Sequence, residues 1–346
     1  MSLASAIRGS LLGGALGDAL GYAVEFDLMS RIRERFGADG LRDFSQLDGP
    51  AEFSDDTQMT LYSADGLNEA LAWARDGVRA DELACVWLAY LRWLRTQNAA
   101  LPESAPHPVD RWLDEQPVMH HRRHPGNACL TGLASGQMGT LSRPVNPNSK
   151  GCGTVMRAAP FGMVPQLAPD AVLKLSTDAA ALTHGHPAAH QAAAQFSLLI
   201  HELLGGATLQ AAAAALRERI SADTTTDPAM LGRVTRALEL AGAGTLLSPE
   251  DLIAELGEGW VAEEALAVAL YATLVTADDD AERHFRTAVA VAVNHDGDSD
   301  STGSLAGNIV GAVHGEAALP AEWLGAVTGL DVVRRIAQDL ADLISE

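Results

Sequence analysis

The sequence has few basic residues, few aromatic rings and few cysteines. Lysine and arginine number 24 against 45 aspartates and glutamates, which gives a formal net charge of -21. That charge repels phosphate backbones and anionic lipid surfaces, so binding to either would need a local basic patch. The densest basic run, HHRRH at 120–124, is short and is followed by Pro125 and Gly126. We therefore expect no nucleic-acid partner and no membrane partner.

Disulfide frameworks and long apolar runs are also missing. The three cysteines, Cys85, Cys129 and Cys152, are widely spaced and form no C-x-x-C pair. This pattern indicates reduced thiols rather than a disulfide framework. No segment approaches the roughly 18 uninterrupted apolar residues of a membrane span, and the N-terminal residues show no signal-type cleavage pattern. These features predict a cytoplasmic protein.

Strand patterns are scarce, whereas helical periodicity covers most of the chain. Aromatic residues are only 5% of the sequence, and alternating Val/Ile/Thr segments bounded by turns are missing, so a sheet architecture is poorly supported. The Pro-rich breaks at 101–110 and 142–153 are predicted loops, because helical sequence of the same composition resumes after each. We predict an all-α fold in one compact domain over 1–346, with helices at 4–22, 57–75, 80–97, 171–182, 187–204, 207–220, 229–242, 261–276, 281–293, 302–314 and 331–344.

Glycine recurs at every fourth position in two of these predicted helices: Gly13, Gly17 and Gly21 in the first, and Gly303, Gly307, Gly311 and Gly315 in the second. This spacing keeps the glycines of each series on one helix face. Glycine costs on the order of 1 kcal/mol relative to alanine inside a helix, so such series are unfavourable unless two backbones approach closely. The pattern predicts close helix packing.

Two short segments place several carboxylates just before helical patterns: FSDDTQM at 53–59 and NHDGDSDSTG at 294–303. Neighbouring carboxylates repel one another unless a cation or a set of hydrogen-bond donors stabilises them. Hard cations such as Mg²⁺ take carboxylate and hydroxyl oxygens, and two such ions about 3.5–4 Å apart need bridging carboxylates. The residues with suitable oxygens are Ser54, Asp55, Asp56, Asp298, Asp300 and Ser301.

The same aspartates also fit helix capping. Asp55 with Gln58 three residues later matches a capping box, in which the neighbouring Asp56 would be solvated. In the second segment Asp300 or Ser301 would cap the helix that follows. If the segment is extended instead, Asp298 and Asp300 point to the same side. Both interpretations remain open at this point.

Calcium and zinc fit these residues less well. A calcium loop starting at Asp296 needs glycine at its sixth position and glutamate at its twelfth, but Ser301 and Gly307 stand there. Zinc would require histidine and cysteine ligands. The available histidine pairs lack the H-E-x-x-H frame: His120 with His124, and His184 with His186.

A glycine pair in NSKGCGTVMRAAPFG at 148–162 is suited to phosphate. Gly151 and Gly153 flank Cys152, and we predict a helix start near Arg157. Backbone N–H groups in such a turn can bind phosphate oxygens. The segment is not a Walker A loop, because the Lys-Ser/Thr pair at the required spacing is absent.

Glu25 and His184 are two further candidates. Glu25 ends the segment GDALGYAVEF, just past the first predicted helix, and could equally be a surface carboxylate. His184 lies in THGHPAAH shortly before a predicted helix start at Pro187. A single histidine in that position is more often structural than catalytic.

Taken together, five segments resemble the motifs of the ADP-ribosylglycohydrolase family in order and approximate spacing: GALGDALGYAVEF, FSDDTQM, GCGTVMRAAPFG, THGHPAA and GDSDSTGSLAGNIVGAVHG. The sequence looks similar to bacterial members related to dinitrogenase reductase-activating glycohydrolase and the ADP-ribosylarginine hydrolases, from about residue 5 to 316. The resemblance implies an orthogonal all-α fold. It also implies a centre of two Mg²⁺ or Mn²⁺ ions that cleaves the glycosidic bond between ADP-ribose and a modified side chain.

The resemblance implies roles for individual residues as well. One metal would be held by Ser54, Asp55 and Asp56, the other by Asp298 and Ser301, with Asp300 bridging. Glu25 falls where family members carry a mobile acidic residue that gates the site, and it is a candidate proton donor. Asp55 or Asp56 could accept the proton of the attacking water. The diphosphate would lie against Gly151, Cys152 and Gly153, with His184 on the ribose side. Many members carry Asn where Cys152 stands.

We therefore predict a metal-dependent hydrolase that removes ADP-ribose from arginine of an acceptor protein. The same fold could act on serine-linked or O-acetyl-ADP-ribose, and the sequence does not separate these linkages. A non-catalytic protein that binds ADP-ribose or blocks an ADP-ribosylating toxin is a further alternative. The simplest alternative is a helical scaffold in which the aspartates serve only as caps.

Overall fold

The computed structural model describes residues 1–345, and within them the chain is all-α. Besides helices and 3₁₀ turns, this part of the chain contains only three isolated β-bridges and no sheet. None of its helices is both long and apolar enough to cross a membrane. The fifteen α-helices are α1 (Leu3–Tyr22), α2 (Met29–Phe36), α3 (Asp55–Arg75), α4 (Glu82–Thr96), α5 (Asn127–Ala134), α6 (Pro169–Ala181), α7 (Pro187–Leu204), α8 (Leu209–Ala222), α9 (Pro228–Gly242), α10 (Pro249–Leu256), α11 (Ala262–Val275), α12 (Ala281–Val293), α13 (Ser299–His314), α14 (Ala321–Ala326) and α15 (Leu330–Ser345).

All eleven helices predicted from periodicity are present, and four short ones were missed: α2, α5, α10 and α14. These four span only six to eight residues. A helix that short makes about two turns, which is too few for an apolar repeat to become visible in the sequence. Their positions depend on contacts with the longer helices.

Helices α1 and α13, both buried over most of their length, lie in the middle of the fold. α1 is buried continuously from Gly9 to Gly21, and α13 from Ser299 to Ala312. Helices that are apolar on all sides occupy the interior of a protein. α3, α11, α12 and α15 pack around this central pair. The few aromatic rings reinforce the surrounding core, since the largest fully buried side chains include Trp93, Trp323, Tyr62, Phe161 and Phe196.

The two glycine series form the contact between α1 and α13, as the spacing predicted. A Cβ atom added to Gly17 would lie 2.0 Å from Gly303 O, and one added to Gly307 would lie 2.0 Å from Gly13 O. At the site end of the pair, a Cβ on Gly21 would lie 2.1 Å from Ser299 O. The backbones therefore touch, and this contact fixes the first turn of α13 beside the last turn of α1.

Gly307→Ala is expected to lower the free energy of unfolding by about 3 kcal/mol or more, because the atoms that the new methyl group meets are backbone and cannot rotate away. Gly232→Ala is the matched control in the middle of α9, where no atom lies within 4 Å of the added Cβ. That control should gain up to ~1 kcal/mol from reduced freedom of the unfolded chain. Urea unfolding of the three proteins measures both effects, and equal stabilities would contradict the close-contact interpretation.

Candidate metal centre and active site

The two acidic segments lie side by side in the structure, although they are far apart in the chain. Ser301 Oγ donates a 2.8 Å hydrogen bond to Asp56 Oδ2, across 245 residues of sequence. Asp55, Asp56, Asp298 and Asp300 are each only 3–4% exposed. The N-termini of α3 and α13 thus bring four buried carboxylates together.

The capping box predicted for α3 was wrong. Ser54 is the N-cap residue, and its Oγ accepts a 3.1 Å hydrogen bond from Asp56 N. Asp55 is the first helical residue, and Gln58 instead donates from Nε2 to His121 O at 2.8 Å. Because Ser54 serves as the cap, the carboxylates of Asp55 and Asp56 are not needed for it. Asp56 is buried rather than solvated.

The predicted cap of α13 was wrong too. The helix begins at Ser299, so Asp300 and Ser301 lie inside its first turn rather than ahead of it. Asp298 occupies the N-cap position but makes no side-chain capping bond. The backbone here is helical rather than extended, yet Asp298 and Asp300 still converge on one point, which they share with Glu25.

Asp18 fixes the loop that carries the first cluster. It lies on α1, is fully buried, and its carboxylate accepts hydrogen bonds from Ser54 N at 2.8 Å, Thr57 N at 3.0 Å and Thr57 Oγ1 at 2.5 Å. Three donors on one carboxylate hold residues 54–57 in a single orientation. No sequence pattern indicates a role for this aspartate, because only the fold brings it under the loop.

Glu25 is buried in the cluster, so the surface-carboxylate alternative was wrong. The residue is 7% exposed, and one oxygen each of Glu25, Asp298 and Asp300 lies within 4.8 Å of the other two. Glu25 Oε2 has no hydrogen-bond partner among the described residues. An unpaired buried oxygen is costly, and it marks a position that a ligand can satisfy.

Burial and mutual repulsion raise the pKa of most carboxyls in the cluster. The pKa of Glu25 is raised to about 10, first by burial and then by the charges of Asp300 and Asp298. The same two causes, burial and the charge of Asp300, raise the pKa of Asp18 to about 7. They also hold the pKa of Asp55, Asp56 and Asp298 well above the usual range.

The donor set fits a hard divalent cation. In the part of the chain that the structure describes, no basic side chain is among the main causes of the pKa shifts of Asp55, Asp56 and Asp298. Such an accumulation of negative charge is what a bound cation neutralises. Carboxylate and hydroxyl oxygens are the ligands that Mg²⁺ and Mn²⁺ prefer. The cluster could therefore hold metal.

A cavity of about 340 Å³ opens onto these carboxylates. Ser54 is the predicted site residue that does not line it, since it lies fully buried behind Asp56. The predicted residues that do line the cavity are Glu25, Asp55, Asp56, Gly151, Cys152, Gly153, His184, Asp298, Asp300 and Ser301.

The glycine loop forms one wall of the cavity. A Cβ atom on Gly151 or on Gly153 would come within 3.4 Å of His184 Nε2, so both glycines leave room beside the imidazole. The backbone N–H of Cys152 is already bonded to Trp260 O at 3.2 Å. Its side chain faces the acidic cluster, where Sγ donates to Asp298 Oδ2 at 2.6 Å.

The helix start predicted near Arg157 was wrong. The segment forms two 3₁₀ turns instead, Cys152–Thr154 and Ala159–Gly162. Arg157 is 1% exposed and donates from Nη2 to Thr183 Oγ1 at 2.7 Å, so it stabilises the core rather than the cavity. Besides Thr183, its buried guanidinium finds acceptors on three helices, at Met59 Sδ, Cys129 Sγ and Ala179 O.

His184 is neutral and held in place. Burial and the charge of Arg157 lower its pKa to about 3, and its Nδ1 lies 2.8 Å from Thr183 Oγ1. His186 is the N-cap residue of α7, and its Nδ1 accepts a hydrogen bond from Ala188 N. Within residues 1–345, the one converging set of three potential ligand groups is Glu25 with Asp298 and Asp300, so the histidine pairs form no zinc site.

Aromatic side chains at the mouth of the cavity were missed by sequence analysis. Phe26 is 63% exposed and Trp260 is 41% exposed, and their rings stack at 6.4 Å with an angle of 22°. His124 packs on Phe26 with ring centroids 4.7 Å apart. No sequence pattern links these three residues, which come from separate loops and meet only in the fold.

Comparison with known proteins agrees with these features. The model of the family described as ADP-ribosylglycohydrolase matches residues 1–346. ADP-ribosylhydrolase ARH3 of Danio rerio is 26% identical over 363 residues, which cover 98% of this chain and 89% of that protein. ADP-ribosyl-[dinitrogen reductase] glycohydrolase of Rhodospirillum rubrum is 25% identical over 239 residues, which cover 68% of each. A solved structure described as an ADP-ribosylglycohydrolase-related protein complex superposes with a TM-score of 0.69 at 26% identity, covering 99% of both chains.

Glu25→Gln is expected to stabilise the metal-free protein at pH 8 and to leave its stability nearly unchanged at pH 4.5. The folded-state pKa of Glu25 is raised from 4.5 to about 10, so wild-type stability is lost as pH rises between these values. Glutamine has no carboxyl group to ionise over this pH range, so the Glu25→Gln protein does not lose stability in this way.

Thermal unfolding in the presence of a chelator, at both pH values, measures the difference. Glu218→Gln on the exposed face of α8 is the control and should show no such pH dependence. A Glu25→Gln protein no more stable than wild type at pH 8 would contradict the electrostatic description.

Proposed function

The chain belongs to the ADP-ribosylglycohydrolase family, and from this premise we propose a metal-dependent hydrolase that cleaves the N-glycosidic bond of ADP-ribosyl-arginine on an acceptor protein. Glycohydrolase activity on ADP-ribosyl groups follows from the family and from the named relatives. The metal requirement and the arginine linkage are the proposal. One observation carries it, namely the convergence of buried carboxylates in a single cavity whose lining, within the described residues, includes no lysine or arginine.

The proposed ligands divide between the two helix N-termini. Ser54, Asp55 and Asp56 would hold one cation at α3, and Asp298 with Ser301 would hold the other at α13. Asp300 would bridge them. Its charge is a main cause of the raised pKa values of Asp55, Asp56 and Asp298, in accord with a position between the two groups of ligands. When bound, two Mg²⁺ or Mn²⁺ ions fix the ribose hydroxyls and lower the pKa of a coordinated water.

Negative charge in the cavity suits the proposed reaction. Cleavage of a ribosyl bond passes through a state in which positive charge develops at the ribose ring. Carboxylates in a buried cavity stabilise that charge more than they would in water. The same field attracts a cationic guanidinium and supports arginine as the acceptor side chain. A serine acceptor carries no charge that would gain from it.

Glu25 is the proposed proton donor to the leaving group. Its Oε2 has no partner among the described residues, its carboxylate lies with Asp298 and Asp300 at the cavity, and burial raises the pKa of the carboxyl in the metal-free protein. A protonated carboxyl at the mouth side of the cluster can give its proton to the departing nitrogen. Asp55 or Asp56 would accept the proton from the attacking water.

The glycine wall is the proposed place for the diphosphate. Gly151 and Gly153 leave space beside the neutral imidazole of His184, which can donate or accept a hydrogen bond without a charge. The N–H of Cys152 is committed to Trp260 O. We therefore assign the contact to the two glycines and His184 rather than to the amide of Cys152.

Release of free ADP-ribose from arginine-modified protein is the decisive measurement. We expect release with Mg²⁺ or Mn²⁺ and a loss of at least about 100-fold on chelation, since a metal supplies several kcal/mol of charge stabilisation. Asp55→Ala and Asp300→Ala should lose activity to a similar degree. Asp279→Ala is the matched control, because that aspartate is exposed in the loop before α12 and lies outside the cavity lining.

Full activity of both Asp55→Ala and Asp300→Ala would contradict the assigned centre. Serine-linked protein and O-acetyl-ADP-ribose are assayed in parallel, and faster turnover of either would favour the O-linked alternative. Tight metal-dependent binding of ADP-ribose, with no hydrolysis of any linkage, would favour the non-catalytic binding protein.

Asp18→Asn is expected to weaken Mg²⁺ binding by roughly 10–100-fold without unfolding the protein, as loss of an outer-shell partner does at other metal sites. Asparagine turns an N–H₂ group toward one of the three donors that now point at the carboxylate. Calorimetric titration with Mg²⁺ measures the affinity, and circular dichroism checks the fold. Unchanged affinity in a folded variant would show that Asp18 does not position the ligands.

A further inference from the structure

A buried ion pair joins the glycine wall of the cavity to α11. Glu263, in the first turn of that helix, is 1% exposed, and its Oε1 accepts a hydrogen bond from Lys150 Nζ. Its other oxygen, Oε2, has no hydrogen-bond partner among the described residues. In that part of the chain, Lys150 is therefore the one partner of a buried carboxylate. Neither residue lines the cavity.

Main-chain hydrogen bonds connect the same two stretches of chain. Ala262 N donates to Lys150 O at 2.9 Å. Cys152 N donates to Trp260 O at 3.2 Å. These two bonds flank Gly151, which lines the cavity. Two main-chain bonds are a weak restraint by themselves, and the ion pair adds a stronger, charge-assisted bond at the same place.

The segment that carries His184 also holds the glycine wall. His186 N donates to Ser149 O at 3.1 Å, and a Cβ on Gly151 would lie 3.4 Å from His184 Nε2. The wall is thus attached to two separate parts of the fold, the His184 segment and the start of α11. The space between the wall and the imidazole depends on both attachments.

We propose that Lys150 and Glu263 are positioning residues for the diphosphate of an ADP-ribosyl substrate. Their ion pair holds the glycine wall at its distance from His184, although neither side chain lines the cavity. The inference rests on the proposed function, which places the diphosphate at this wall. Separating the two charges would leave the carboxylate of Glu263 buried without a partner, which is strongly unfavourable. The pair therefore opposes displacement of the loop.

Lys150→Met, Glu263→Met and the double variant test the inference in the full-length protein with Mg²⁺. In each, the Kd for ADP-ribose by calorimetry and the KM for arginine-modified protein should rise roughly 10-fold or more, because a misplacement of about 1 Å can cost up to about 100-fold. The kcat should change less than about 3-fold, since the proposed metal ligands and Glu25 stay in place. Lys150→Arg keeps the ion pair and should keep the wild-type affinity.

The variants separate positioning from two other roles. The double variant replaces both charges by apolar side chains, so it should unfold at nearly the wild-type urea concentration while its affinity stays reduced. Glu263→Met leaves the charge of Lys150 near the wall but removes its tether, so attraction of the diphosphate by that charge would maintain affinity. Lys174→Met is the matched control and should bind ADP-ribose as wild type does, because Lys174 pairs with Asp178 on α6, outside the cavity lining.

Two results would overturn the inference. A double variant with both the stability and the affinity of wild type would show that the pair only stabilises the fold. Unchanged or tighter binding by Glu263→Met would show that Lys150 acts through its charge. In both cases, binding and hydrolysis by wild type would leave the proposed function intact, whereas a wild-type protein that binds no ADP-ribose would contradict the inference and the proposed function together.

Discussion

The contact between the backbones of α1 and α13 is the constraint on which the site depends. Gly17 and Gly303 meet in the middle of the pair, and Gly21 meets Ser299 at its end, with no room for a side chain at these points. Asp18 is adjacent to the first of these glycines, and Asp300 follows the residue that Gly21 touches. Close packing therefore sets the distance between the aspartate that fixes the first acidic loop and the turn that carries the second.

This geometry opposes stability in the metal-free protein. Carboxylates buried together raise one another's pKa values, and the free energy needed to keep them protonated or charged must come from the rest of the fold. A core of large buried side chains supplies it, with Trp93 and Trp323 fully buried. Functional sites typically break the local rules that otherwise stabilise a fold, and the lost stability is compensated elsewhere in the protein. The acidic cluster is such a place, whereas the remainder of the chain follows its helical pattern.

The long helices and the glycine contact have local signatures in the sequence, and the family resemblance pointed to ten of the residues that line the cavity. Periodicity marks helices of three turns or more, and glycine at every fourth residue marks a backbone contact. The missed features depend on tertiary neighbours. Ser54 is the cap because α3 starts two residues earlier than the predicted 57–75, and the burial of Glu25 follows from the turn after α1. Asp18 and the rings of Phe26 and Trp260 gain their partners only when distant segments meet.

The segment that carries Glu25 is held at both ends by the region of the second acidic cluster. At its start, Gly21 touches the backbone of Ser299, and at its end Met29 N donates to Asp296 Oδ1 at 2.5 Å. Between them, Arg35 Nη1 donates to Ala23 O at 3.2 Å and bonds the Asp27 carboxylate. Any movement of Glu25 is therefore confined to the few residues between these anchors. Because Asp296 lies in the loop before α13 and Ser299 begins that helix, the position of Glu25 is set by the same short stretch of chain that carries Asp298 and Asp300.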